Sequence, residues 1–160
     1  MYMHSPRILT IAVVHDESRV LLGFKKRGFG MGRWNGFGGK VEAGESVSDA
    51  AMRELREESG LEAKHFEKRG TIIFEYASDP VPLEVHVFSV TSWRGELVES
   101  DEMRPAWFRH TEIPYASMWA DDKYWLPLLL RGRGFEGRFR FLDYDHLLHH
   151  EVRELSLANA

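Results

Sequence analysis

Apolar runs punctuated by turn residues dominate the first quarter of the chain. Arg7 to His15 (RILTIAVVH) and Arg19 to Lys25 (RVLLGFK) are rich in Ile, Val and Leu, and Asp16-Glu17-Ser18 separates them. Such runs favour strands, so the pattern predicts two strands joined as a hairpin, with the Thr10 hydroxyl satisfied by a neighbouring strand. Gly70 to Tyr76 (GTIIFEY) and Leu83 to Ser92 (LEVHVFSVTS) alternate in the same way, with Asp79-Pro80-Val81-Pro82 as their turn. Ile72, Phe74 and Tyr76 share one face of the first, and Leu83, Val85 and Val87 one face of the second, as a buried sheet face that also offers a pocket wall. Met103 to His110 and Gly137 to Leu142 (GRFRFL) read as further short strands. The polar remainder, DYDHLLHHEVRELSLANA, is expected to be a partly ordered tail with His146, His149 and His150 exposed.

Two segments change to helical spacing. Ser46 with Asp49 three residues on reads as a capping box, and Gly60 after Ser59 as a C-terminal stop. Between them Ala51, Met52 and Leu55 form an apolar stripe. A second helix opens at Trp119-Ala120-Asp121-Asp122 and runs through Trp125, Leu128 and Leu129. Asp121 or Asp122 suits its N-cap, but two aspartates exceed what one cap needs. Adjacent carboxyls that share a proton can both donate and accept, and so can recognise more than one hydrogen-bonding pattern.

The first helix carries the candidate chemistry. At about 100° per residue, Glu54, Glu57 and Glu58 fall on one arc. On this helical wheel Arg53 and Arg56 point elsewhere, so the carboxylates repel one another unless a cation relieves them, and a divalent ion is the natural candidate. Before the helix, Gly36-Phe37-Gly38-Gly39 brings bare backbone within reach of an ion. The preceding stretch holds Phe29, Trp34 and Asn35, aromatics with an amide able to read a base edge, and Lys25-Lys26-Arg27 offers a phosphate clamp. The acidic loop Glu99-Ser100-Asp101-Glu102 has a carboxylate to add to a metal site.

Composition narrows the class. A chain of 160 residues with 43% hydrophobic and 12% aromatic residues suits one globular domain without a membrane span. A net charge of −4 argues against broad binding to nucleic-acid polymer. Without cysteine there is no disulfide or zinc–thiolate site, and MYMHSPR lacks the features of a signal or transit peptide, so cytoplasm is the expected compartment.

Gly39, Glu45, Arg53, Glu54, Leu55, Glu57, Glu58, Gly60 and Leu61 fill every fixed place of Gly-x5-Glu-x7-Arg-Glu-U-x-Glu-Glu-x-Gly-U, with U apolar. The chain therefore resembles the Nudix family. The resemblance implies an α/β fold, an α/β/α sandwich about a mixed central sheet, spanning residues 1–160 as one domain. It also implies a Mg²⁺-dependent hydrolase, with Mn²⁺ able to substitute, that acts on nucleoside diphosphates linked to another group.

RVLLGFKKRGFGMGRWNGFGGKV, VESDEMRPAWF and MWADDKYWLPLLL are similar to the MutT-like branch of this family whose vertebrate members hydrolyse oxidised purine nucleoside triphosphates. That likeness implies catalytic roles for Glu54, Glu57 and Glu58, and metal ligation by these three, Glu102 and the Gly38 carbonyl. It implies a nucleotide pocket of Thr10, Lys25, Phe29, Asn35, Phe37, Gly38, Gly39, Lys40, Phe74, Leu83, Met103, Trp119, Ala120, Asp121, Asp122 and Trp125. In it Trp119 stacks on the purine while Asn35, Asp121 and Asp122 read its edge. The implied substrates are 8-oxo-dGTP and 2-oxo-dATP, with N6-methyl-dATP and O6-methyl-dGTP, split to monophosphate and pyrophosphate by a monomer in the cytoplasm with nuclear and mitochondrial pools. Leu83 and Tyr76 depart from the Met and Phe of the relative in view. Leu for Met nearly conserves volume, whereas the Tyr76 hydroxyl needs a partner if buried.

Overall fold

A computed structural model describes residues 4–156. In chain order the elements are β1 (Arg7–His15), β2 (Arg19–Lys25), β3 (Trp34–Asn35), α1 (Val47–Ser59), β4 (Glu62–Tyr76), β5 (Asp79–Arg94), β6 (Met103–Arg109), α2 (Asp122–Leu130), β7 (Gly134–Asp143) and β8 (His146–Leu155). The strands make one sheet in the order β3-β2-β1-β5-β4-β7-β8, with β6 also pairing β2. β1 runs parallel to β5 and β4 parallel to β7, while the other pairs are antiparallel, so the sheet is mixed.

Alternation along the strands sorts the core into two layers. Val13, Val20, Leu22, Ile72, Val85 and Phe139 point to one face, where Trp125, Leu126 and Leu129 of α2 cover them. Their neighbours Ala12, Val14, Leu21 and Val90 point to the other, where they meet Leu55 of α1. A one-residue slip in register would exchange these faces, so burial of both sides fixes the pairing. Helices on opposite faces of a mixed sheet give the expected α/β sandwich.

Helix α1 has the ends its sequence predicts. The Ser46 hydroxyl accepts from the Asp49 amide at 3.1 Å, and Gly60 takes φ 82°, donating its N–H to the Arg56 carbonyl. Helix α2 differs from expectation at its start: Asp121 occupies the N-cap position but its side chain makes no capping hydrogen bond.

Three sequence expectations fail here. The turn lies at Ala77-Ser78, because β5 already begins at Asp79 and includes Pro80 and Pro82. β4 extends back to Glu62 rather than starting at Gly70. The expected tail holds β8, which pairs antiparallel with β7 from Leu155 to His146, while residues 157–160 lie outside the described part. His146, His149 and His150 are exposed as expected. Among the described residues no helix is long and apolar enough to cross a membrane.

Candidate active site

The glycine loop is sewn to β1 before the chain enters α1. Phe37 and Ala12 exchange backbone hydrogen bonds, and the Thr10 amide donates to the Gly39 carbonyl at 2.9 Å. The Thr10 hydroxyl donates to the same carbonyl at 3.4 Å, so its partner is the glycine loop and not the neighbouring strand expected from sequence. Close approach requires glycine at position 38, where a Cβ would lie 1.7 Å from the Thr10 carbonyl oxygen; at Gly39 a Cβ would lie 2.7 Å from Glu54 Oε1, a contact that a shift of this carboxylate relieves. The backbone amide of Gly38 donates to Glu58 Oε1 at 2.9 Å, tying loop to helix.

Burial pushes the Glu58 carboxyl up to about 7, and the neighbouring Glu54 charge adds to this, while the Gly38 N–H opposes it. Lys25 stands 3.5 Å from Glu102 Oε2, and both influence Glu58, so Lys25 and Glu102 stand within its electrostatic reach. Lys26 is directed instead to Glu99 and the Ser100 carbonyl.

Arg53 overturns the expectation that no cation serves the glutamate arc. Its Nη1 donates to Glu54 Oε1 at 2.9 Å and to Glu57 Oε2 at 3.3 Å, while its Nε donates to Glu45 Oε2 at 2.7 Å. A helical wheel places Cβ directions, and a guanidinium on a long stem reaches around them. Glu45 holds the Arg53 guanidinium above its ordinary range, and Arg53 in turn lowers the Glu45 carboxyl. Among the described residues no three carboxylates stand at metal-coordinating spacing. Arg53 draws Glu54 and Glu57 one way and Gly38 draws Glu58 another. By chemistry alone the donors suit a hard divalent ion, being oxygens of carboxylates that include the desolvated Glu58. Arg53→Ala is expected to lower the Tm by roughly 3–10 °C, through loss of a charge-assisted network, with the deficit shrinking when Mg²⁺ is added. Thermal denaturation with and without Mg²⁺ checks this; an unchanged Tm would make the network incidental.

From Glu58 a cavity of about 410 Å³ runs between the sheet and α2. Of the sequence-predicted pocket residues, Thr10, Lys25, Phe29, Asn35, Gly38, Gly39, Lys40, Phe74, Leu83, Met103, Trp119, Asp121, Asp122 and Trp125 line it. Phe37 does not: its backbone bridge to Ala12 turns the ring into the α1 layer, where it is fully buried. Ala120 also faces away, into a separate hollow beside Arg33 and Tyr144. Glu54, Glu57 and Glu102 lie outside the cavity wall, at its α1 end. Gly36, Tyr76 and Val85 also line it, as do Leu9, Ile11, Val13, Leu22, Met118 and Leu126. The last six are ordinary core residues by pattern, and only the sheet register could have singled them out.

At the far end Asp121 and Asp122 are 3% and 6% exposed, which leaves two carboxyls almost wholly desolvated. Trp125 Nε1 donates to Asp121 Oδ2 at 2.8 Å. Burial raises the Asp121 carboxyl, and burial together with the Asp121 charge raises Asp122 well above the usual carboxylate range. Burial thus favours the protonated form at both positions, and a protonated carboxyl donates as well as accepts. Trp119 stands beside them with Phe29 stacked at 5.3 Å between ring centroids. Tyr76, on the same wall, has its phenol pushed up by burial and by the Asp121 charge.

Residues 4–129 match the NUDIX domain family. The chain is 50% identical over 153 residues to the oxidized purine nucleoside triphosphate hydrolase of Mus musculus, covering 96% of this chain and 98% of that protein. It is 48% identical to the protein of the same description from Danio rerio, with the same coverage. Among solved structures it resembles a mutator MutT protein from Bacillus halodurans, with a TM-score of 0.82 and 29% sequence identity across 91% of this chain and 97% of that one.

Proposed function

The chain belongs to the Nudix family, and from that premise we propose that it is a Mg²⁺-dependent pyrophosphohydrolase of oxidised and alkylated purine nucleoside triphosphates. The observation that carries this reading is one cavity with the Asp121–Asp122 pair and Trp119 at one end and Glu58 at the other. The likeness to the mouse and zebrafish hydrolases supports it.

In this reading Glu54, Glu57, Glu58, Glu102 and the Gly38 carbonyl would hold the metal. A Mg²⁺ held there would supply charge neutralisation for the triphosphate and Lewis acidity toward its P–O bonds and the attacking water. The remaining work belongs to the chain. Lys25, on the cavity wall near Glu58, offers its ammonium to the phosphates. Without a Cβ, Gly38 lies against the Thr10 carbonyl and Gly39 against Glu54, which holds the loop in place beside the phosphates. Trp119 stacks on the base, and Asn35 with the acid pair reads its edge. Burial favours a proton on the pair, and a pair that carries one matches bases whose oxidation or alkylation exchanges a donor for an acceptor. Positioning and charge stabilisation supply most of the rate of such a transfer.

Product analysis by phosphorus NMR tests the reaction. With Mg²⁺, 8-oxo-dGTP is expected to give the monophosphate and pyrophosphate, with ADP-ribose and diadenosine polyphosphates turned over far more slowly. A cavity of about 410 Å³ with a single aromatic and acidic end suits one base. Faster hydrolysis of ADP-ribose would keep the family and overturn the pocket.

A further inference from the structure

The turn joining β7 to β8, read from sequence as part of a tail, reaches the purine end of the cavity. Asp143 pairs with His146 across it, leaving Tyr144 and Asp145 at the tip. The Asp143 carboxylate accepts from the Asp145 amide at 2.9 Å and the His146 amide at 3.0 Å, and lies 2.7 Å from His146 Nδ1. Asp143 thereby holds a turn that lacks the Asn-Gly chemistry common in two-residue hairpins.

What the tip presents converges on one indole. The Asp145 carboxylate pairs with the Arg33 guanidinium, whose carbon lies 4.0 Å from the centre of the Trp119 ring. Tyr144 meets Trp119 edge-on at 5.9 Å, and also meets Phe29 at 5.0 Å and Tyr76 at 5.5 Å. Phe29 and Trp119 line the main cavity, whereas Arg33, Tyr144 and Asp145 line the separate hollow beyond it. Arg33 thus covers the Trp119 ring, Phe29 stacks on it and Tyr144 meets its edge. The Arg33–Asp145 pair is too exposed to stabilise the fold much, since Asp145 is 74% exposed. Its planar guanidinium can still fix the plane of a ring that it covers.

We propose that Arg33, Tyr144 and Asp145 are positioning residues that brace Trp119 and so set the KM for purine nucleotides. This rests on the reading of Trp119 as the base platform. Pre-orientation of a stacking surface lowers the ordering cost of binding and leaves the step at phosphorus unchanged.

The test is steady-state kinetics with 8-oxo-dGTP. Arg33→Ala and Asp145→Ala are each expected to raise KM roughly threefold to tenfold with kcat within about twofold. The double variant is expected to be no worse than the more severe single, since both act through one guanidinium. Arg33→Lys keeps the charge and loses the planar stack, and should behave as Arg33→Ala. Tyr144→Ala should raise KM and Tyr144→Phe restore it. An unchanged KM, a fall in kcat alone, or additive losses in the double variant would overturn the brace. Trp119→Ala separates this from the underlying reading. If it leaves KM unchanged, the platform itself is wrong; if it raises KM while Arg33→Ala does not, only the brace is wrong.

Discussion

Glu58→Gln is expected to lower kcat by about a thousandfold or more while leaving the fold intact and the metal-free protein more stable at pH 8. The rate loss follows from removing a metal-holding carboxylate worth several kcal/mol to the transition state. The stability gain follows from burial. Glu58 titrates at about 7 in the folded chain against an ordinary 4.5. Between these values the native state keeps a proton that the unfolded chain has released. The stability so gained is complete below the unfolded value and is lost as pH rises through the folded one. Glutamine carries no charge to desolvate, and its carbonyl can still accept from Gly38. Pyrophosphate release and thermal denaturation at pH 5 and pH 8 check both halves. Retention of most activity would remove Glu58 from the metal site.

The second large effect is expected at the acid pair. Asp121→Asn should reduce kcat/KM for 8-oxo-dGTP about a hundredfold, because a buried polar contact left mismatched costs a few kcal/mol. The preference over dGTP should collapse with it, while inhibition by pyrophosphate stays unchanged. Both carboxyls are raised by burial, so the stability held in their retained proton is full below the ordinary 3.8 and is lost as pH rises. The asparagine variant should therefore melt higher than the parent at pH 8, with the gain disappearing toward pH 4. It can also keep its bond from Trp125, which needs only an oxygen at the Oδ2 position. An unchanged substrate profile would reduce Asp121 to the first residue of a helix.

Where a side chain's direction follows from periodicity, the sequence was legible. β1 and β2 have the predicted limits, and α1 is capped by Ser46 and Gly60 as its sequence requires. The errors share a cause, which is that pairing partners are invisible along one chain. Pro80 and Pro82 read as a turn, yet β1 joins β5 only from Leu83 onward, so neither proline removes a donor from that ladder. Glu62 to Arg69 and His146 to Leu155 are largely exposed strands with little apolar alternation, held by β5 and β7 respectively.

The site divides along the same line. The glutamates and the Asp121–Asp122 pair stand out by residue type. Phe37 could not be told from its aromatic neighbours until its bridge to Ala12 set its direction. Arg53 was hidden by reach, and Arg33 and Asp145 by separation, since the pair spans 112 positions in sequence.

The most direct test of the account is kcat/KM for 8-oxo-dGTP against dGTP, measured as Mg²⁺-dependent pyrophosphate release by the unaltered chain. A preference for the oxidised base of an order of magnitude or more, at least about 1.4 kcal/mol of discrimination, is the predicted result. Equal or faster turnover of dGTP would contradict it, because a cavity ending in a desolvated, proton-sharing acid pair would then be reading nothing.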